Sequence, residues 1–214
     1  MSEREAVTGD FVSAVILAAG SASRMGEAKQ LLPLAGRPLL DHVLSAADGA
    51  KSVSEIVLIL GCDAERVRKK VDLQRRNDVK VAVNPNWSDG ISSSLKVGLA
   101  AADKHATAVC VLLGDQPSID SAFIERMIDE FSACPEPLVR PIYRGADGKS
   151  VPGHPVVVSS RIWDEIEGLA GDEGLRTLIS RRPEWLGAVA IEGAAPDDID
   201  DRKDYARAQR GYEN

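Results

Sequence analysis

Three groups of residues in this chain could act on a phosphorylated ligand. The first is Val15-Ile-Leu-Ala-Ala-Gly-Ser-Ala-Ser-Arg-Met-Gly-Glu-Ala-Lys29, where an apolar run breaks at Gly20 into a loop of small residues carrying Arg24 and then Lys29. Small residues let backbone N–H groups close on a polyanion, and the two cations neutralise it. Lys29 would place a compact charge on leaving phosphates, and Arg24 would clamp phosphate oxygens through its fork. A tight turn with solvated cations is the plainer account, but two cations behind one small-residue nest favour the cradle. Spacing removes two other phosphate loops. Gly20 to Gly26 is one residue too long for a Walker A loop and is followed by Glu27, and Ala22 and Ser23 stand where a dinucleotide fingerprint needs glycines.

The second group is Leu112-Leu113-Gly114-Asp115-Gln116-Pro117. A carboxylate stands where a wholly apolar strand ends, and Pro117 turns the chain away from the sheet, leaving Asp115 towards the rim. A hard oxygen ligand beside a phosphate cradle implies Mg²⁺; an aspartate that merely closes a turn is the alternative. The third group is Asp198-Ile199-Asp200, whose carboxylates are two residues apart and face one way in an extended segment. Asp200 or Asp201 would also cap the helix that follows.

Other segments could form the walls. Asn84-Pro-Asn-Trp-Ser-Asp-Gly-Ile-Ser-Ser-Ser-Leu95 delivers hydroxyls, Ser92 and Ser93 among them, to a helix start. There they could read a base or sugar, or only cap the helix. Trp87 is a stacking platform or a loop anchor. Gly153-His154-Pro155 lies in a turn-rich excursion and is a candidate contact for a second substrate, with Gln116 beside it in that role. Gly171-Asp-Glu-Gly174-Leu-Arg176 could continue the wall, or simply open a helix. His42 and His105 have no convergent partners, so no Ser-His-Asp or Cys-His set can be assembled.

These groups need a scaffold, and the pattern supplies one. Apolar strand runs at 11–18, 55–60, 79–83, 108–113, 138–143, 156–158 and 186–191 alternate with helical patterns. The helices are expected near 37–47, 63–71, 92–102, 118–131, 161–167, 174–181 and 202–210. Such alternation predicts an α/β fold: a single-domain, Rossmann-like arrangement with a mostly parallel sheet, helices on both faces and a small excursion for the acceptor. Ligands on such sheets sit beyond the carboxyl ends of the strands, where the loops after the first and fourth strands fall. Residues 1–10 read as a flexible leader. Within 11–214, a nucleotide half would run to about 135 and an acceptor-binding part from about 136 to 200.

At 214 residues and 44% apolar content the chain can bury a core. A net charge of −7 argues against nucleic acid or an anionic membrane as partner, so an anionic ligand must be held by local cations. Three scattered cysteines, Cys62, Cys110 and Cys134, suit a reducing cytoplasm rather than a disulfide or zinc framework. No apolar run approaches the ~20 residues of a membrane span.

Taken together, Leu17-Ala-Ala-Gly20, Arg24-Met-Gly26, Lys29-Gln-Leu-Leu-Pro33, Gly36-Arg-Pro38-Leu, Gly90-Ile-Ser-Ser-Ser-Leu95, Gly114-Asp-Gln-Pro117, Gly153-His-Pro155 and Asp198-Ile-Asp200 resemble the nucleotidyltransferases related to the molybdenum cofactor enzymes. Leu-Ala-Ala-Gly with Gly-Asp-x-Pro is similar to the cytidylyltransferase branch. The resemblance implies transfer of CMP from CTP to molybdopterin or molybdenum cofactor with Mg²⁺, in a cytoplasmic enzyme that could hand its product to a molybdoenzyme or its chaperone. It implies Arg24, Lys29 and Asp115 as catalytic. The nucleotide would be bound by Leu17, Ala18, Ala19, Gly20, Ser21, Arg24, Met25, Gly26, Lys29, Ser92, Ser93 and Gly114. Gln116, Gly153, His154 and Pro155 would bind the acceptor, and Asp115 with Asp200 the metal. The family tail usually continues Asp-Ile-Asp with Thr-Pro-Glu-Asp, whereas here it reads Asp198-Ile-Asp-Asp-Arg-Lys-Asp204. A sugar-phosphate acceptor and a non-catalytic nucleotide-binding chaperone are the competing readings.

Overall fold

The computed structural model describes residues 11–20, 28–73 and 79–212. The leader at 1–10 and the loop residues Ser21, Arg24, Met25 and Gly26 lie outside the described residues. The elements run β1 (Val12–Ala18), β2 (Pro33–Leu34), β3 (Arg37–Pro38), α1 (Leu39–Gly49), β4 (Glu55–Leu60), α2 (Ala64–Lys70), β5 (Val79–Val83), α3 (Ile91–Ala101) and β6 (Ala108–Leu113). They continue with α4 (Ser121–Ala133), β7 (Leu138–Arg144), β8 (Ser150–Pro152), β9 (Val156–Ser159), α5 (Trp163–Glu167), α6 (Leu175–Arg181), β10 (Leu186–Glu192) and α7 (Arg202–Tyr212).

One mixed sheet of eight strands has the order β10-β7-β9-β6-β1-β4-β5, with β8 paired to β7. β6, β1, β4 and β5 are parallel neighbours, as the apolar runs of β6, β1 and β4 predict, with β5 at the edge. β9 lies antiparallel between β6 and β7. The excursion between β7 and β9 contains no crossover helix, and without one the chain can only return antiparallel. Helix 37–47 begins later than expected, because Arg37 and Pro38 pair with Pro33 and Leu34 in a two-residue ribbon.

Alternate strand residues enter opposite core layers. Ala14, Ile16, Leu58, Leu60, Cys110 and Leu112 join Val43, Leu44 and Met127 on one face of the sheet. Val15, Val57, Ile59, Val109 and Val111 join Leu95, Ile166 and Leu178 on the other. Each fully buried leucine or isoleucine contributes about 1.5–3 kcal/mol. This sandwich fixes where β1 and β6 end. Leu17 and Leu113 are register partners, and the Gly114 N–H donates to the Leu17 carbonyl at 2.9 Å. A Cβ on Gly114 would come within 2.8 Å of the Ala18 Cβ, so the small residue lets the two exits close up.

Candidate active site

At those exits Lys29 reaches across the sheet rim. Its Nζ donates to Asp115 Oδ2 at 2.6 Å and to Asp200 Oδ1 at 3.0 Å. Burial lowers the Lys29 pKa, but the charge and hydrogen bond of Asp115, and then those of Asp200, outweigh it. The ammonium is left above its ordinary value and stays charged. Asp115 Oδ1 is buried and has no hydrogen-bond partner among the described residues. The exit segment is anchored by Ile199, 1% exposed, whose N–H donates to the Asp115 carbonyl at 3.1 Å.

The two carboxylates of Asp198-Ile-Asp200 part company. Asp200 joins Lys29, whereas Asp198 Oδ1 accepts from Gln116 Nε2 at 2.7 Å. Burial and then the charge of Asp115 raise the Asp198 pKa. The segment is held in place by a cap. Asp201 Oδ1 accepts from the N–H groups of Lys203 and Asp204, while Asp204 Oδ2 accepts from those of Asp200 and Asp201. This reciprocal capping box ties the Asp200 backbone to the start of α7 without a Thr-Pro turn.

A cleft of about 420 Å³ opens beside Lys29 and Asp115, lined by Leu17, Ala18, Ala19, Gly20, Gly114 and the opposing Trp87, Ser88, Gly90, Ile91 and Ser94. Gln30 also lines it, and its Nε2 donates to the carbonyls of Ala18 at 3.0 Å and Gly20 at 3.3 Å. The residue is 3% exposed and pins the end of β1 and Gly20. The Ser92 hydroxyl donates to the Gly171 carbonyl, and the Ser93 hydroxyl donates to the carbonyls of Asn86 and Gly90. These two hydroxyls are engaged by backbone, and Ser94 is the serine of the trio on the cleft wall.

His154 and its cis bond to Pro155 lie one cavity away. His154 Nδ1 lies 3.4 Å from the Val111 carbonyl. Burial pushes its pKa down to about 4, so the ring is neutral at pH 7. Gly153 packs under Tyr143 so closely that a Cβ would collide with the ring.

A family model described as "MobA-like NTP transferase domain" matches residues 14–185. The chain belongs to the MobA-like NTP transferase family. A relative named nicotine blue oxidoreductase, from Paenarthrobacter nicotinovorans, is 31% identical over 82% of this chain and 84% of its own. Purine catabolism protein PucB of Bacillus subtilis is 27% identical over 94% of this chain and 97% of its own. The crystal structure of Rv0371c from Mycobacterium tuberculosis superposes with a TM-score of 0.80 at 32% identity, covering 95% of this chain and 99% of that one. Rv0371c has also been solved as a manganese complex, with a TM-score of 0.76.

In this MobA-like chain the structure brings Lys29, Asp115, Asp200, Gly114 and Leu17 to Gly20 to one rim, with Gln116 beside them through Asp198. Two contributors, Gln30 and Arg140, carried no assigned role in the sequence. Gln30 sits next to Lys29, and a buried amide that donates to the distant Ala18 and Gly20 carbonyls leaves no local signature. Asp172, in the segment read as a continuation of the wall, lines both cavities, where Ser92 holds Gly171 to α3. Arg140 sits within a strand that reads as apolar core. Among the described residues no helix is long and apolar enough to cross a membrane.

Proposed function

We propose that this protein transfers CMP from CTP to the phosphate of molybdopterin or molybdenum cofactor and releases pyrophosphate. The observation that carries this reading is the Lys29 ammonium held between Asp115 and Asp200 at the mouth of the 420 Å³ cleft. The acceptor phosphate oxygen attacks the α-phosphorus in line. The bond from that phosphorus to the bridging oxygen of the β-phosphate breaks, and pyrophosphate leaves with the electron pair. The chain's task is positioning and charge neutralisation. Lys29 and Arg24 stabilise charge developing on the triphosphate, Gln30 holds the first loop in shape, and Ser94 and Trp87 border the base and sugar. A phosphate dianion needs no general base, and neutral His154 is left to hydrogen-bond the acceptor.

The residues fit a divalent cation. Asp115 and Asp200 converge on one ammonium, and Asp115 keeps a buried oxygen without a partner. The manganese complex of Rv0371c supports a divalent cation as a ligand of the family. When bound, Mg²⁺ would supply Lewis-acid charge stabilisation to the phosphates. The choice of CTP rests on the first-loop and Gly-Asp-x-Pro resemblances. The net charge of −7 argues against nucleic acid and membrane as partners. A cytoplasmic molybdoenzyme or its chaperone would receive the product.

The test is pyrophosphate release from each of the four NTPs with Mg²⁺, with and without molybdopterin. Release with CTP and molybdopterin, stopped by a chelator and restored by excess Mg²⁺, is the expected outcome. Release that ignores molybdopterin but follows a sugar phosphate would replace the acceptor, and tight CTP binding without release would make the protein a binder. The nicotine blue oxidoreductase relative favours a second reading, in which the cleft holds a redox substrate. Redox conversion of nicotine blue with an added electron donor, in the absence of CTP, would support it.

A further inference from the structure

Arg140 lies on β7 within the sheet and is only 7% exposed. A guanidinium withdrawn from water is costly unless an anion or a full set of acceptors meets it. Among the described residues one of its five N–H groups is used, Nη2 donating to the Gly153 carbonyl at 3.0 Å. Its Nε is buried and has no acceptor among the described residues. Burial, and then the like charge of Arg176, lower its pKa. Both guanidiniums line a cavity of about 230 Å³ together with His154 and Thr177. Among the described residues neither Arg140 nor Arg176 has a carboxylate at ion-pair distance. The cavity adjoins the larger cleft, since Leu17, Ile91 and Asp172 border both.

We infer that Arg140 and Arg176 form an oxyanion subsite, which takes a phosphate monoester or carboxylate group of the second substrate. That this group belongs to the acceptor rests on the nucleotidyl-transfer reading; the existence of the subsite does not. An arginine with a purely structural duty beneath the Gly153 turn would be matched by a carboxylate. This one is left facing a second arginine across a cavity, and a bound oxyanion supplies the missing acceptors. The planar fork of Arg140, oriented by its bond to Gly153, suits two-point contact with such a group. Arg176, at the exposed end of the cavity, adds the second charge. Specificity follows: an acceptor with its anionic group placed one cavity away from Asp115 is retained, and one lacking that group is held weakly.

The subsite is tested on the full chain by calorimetric titration with inorganic phosphate in a Lys29→Ala, Arg24→Ala background, which removes both cradle cations. Phosphate is expected to bind, Arg176→Gln to weaken it at least tenfold, and Arg140→Lys to recover part of what Arg140→Gln loses. Acetate competing with phosphate would mark a site for any oxyanion; failure to compete would mark one for phosphate. Both outcomes support the subsite and separate its two chemistries. In turnover, Arg176→Gln should raise the acceptor KM at least fivefold while the CTP KM and kcat stay within twofold. Arg176 is exposed, so this variant tests the idea even if Arg140→Gln fails to fold. Phosphate affinity unchanged in folded Arg176→Gln and Arg140→Lys would overturn the inference while leaving the transferase reading standing. Phosphate binding that these variants lose, in a protein that releases pyrophosphate from no NTP, would keep the subsite and reject that reading.

Discussion

Lys29 holds the two halves of the rim together. It comes from the segment after the first loop, Asp115 from the end of β6, and Asp200 from the approach to α7, 171 residues further along. Removing the ammonium would leave Asp115 beside Asp200 and Asp198 with no cation between them, and would strip charge from the triphosphate. Lys29→Ala and Asp115→Ala are each expected to lose at least ~2 kcal/mol of transition-state stabilisation. Steady-state pyrophosphate release reads this directly as about a thirtyfold fall in kcat/KM, and turnover near that of the unmodified chain would remove both residues from the mechanism. Cys110, fully buried with its thiol pushed up to about 12, is packing rather than chemistry.

At the scale of elements, loops reach the rim because helices and strands deliver them there. The capping box of α7 illustrates this. Asp201 and Asp204 satisfy four N–H groups between them, and one belongs to Asp200. Asp201→Ala should cost about 1 kcal/mol of stability, measured by urea unfolding, and should also raise the metal concentration needed for half-maximal activity. A stability loss with unaltered metal dependence would show that the cap does not position Asp200. The far end of α7 is fastened too. The Tyr212 hydroxyl donates to the Pro117 carbonyl at 2.6 Å, just beyond Asp115, and its ring meets His42 edge-on at 4.9 Å.

For the whole molecule, burial of His154 couples the turn at Gly153-His154-Pro155 to pH. Its imidazole titrates near 4 when folded and near 6.5 when unfolded. Between these values the unfolded chain binds the extra proton. The stability is therefore complete above pH 6.5, falls as pH drops towards 4, and levels off below that. The loss from this residue amounts to at most about 3 kcal/mol. Urea midpoints at pH 7.5, 5.5 and 4.5 should fall more steeply for the unmodified chain than for His154→Gln. Parallel slopes would show that the ring is not buried neutral.

Much of this molecule was readable as letters. Apolar runs such as Glu55–Leu60 and Ala108–Leu113, small residues at Gly20 and Gly114, and acids at strand exits are local signals, because burial on both faces and tight exits each demand a residue type at its own position. Partnerships between distant residues were out of reach. Periodicity carries no information on which strand lies beside which, so the antiparallel β9 between β6 and β7 was hidden, as was the choice between Asp198 and Asp200. Arg140 is the clearest case. In a row of letters it is one charge in an apolar strand, and only chain closure, which seals it in beside Arg176 with no carboxylate at ion-pair distance among the described residues, gives that charge its meaning.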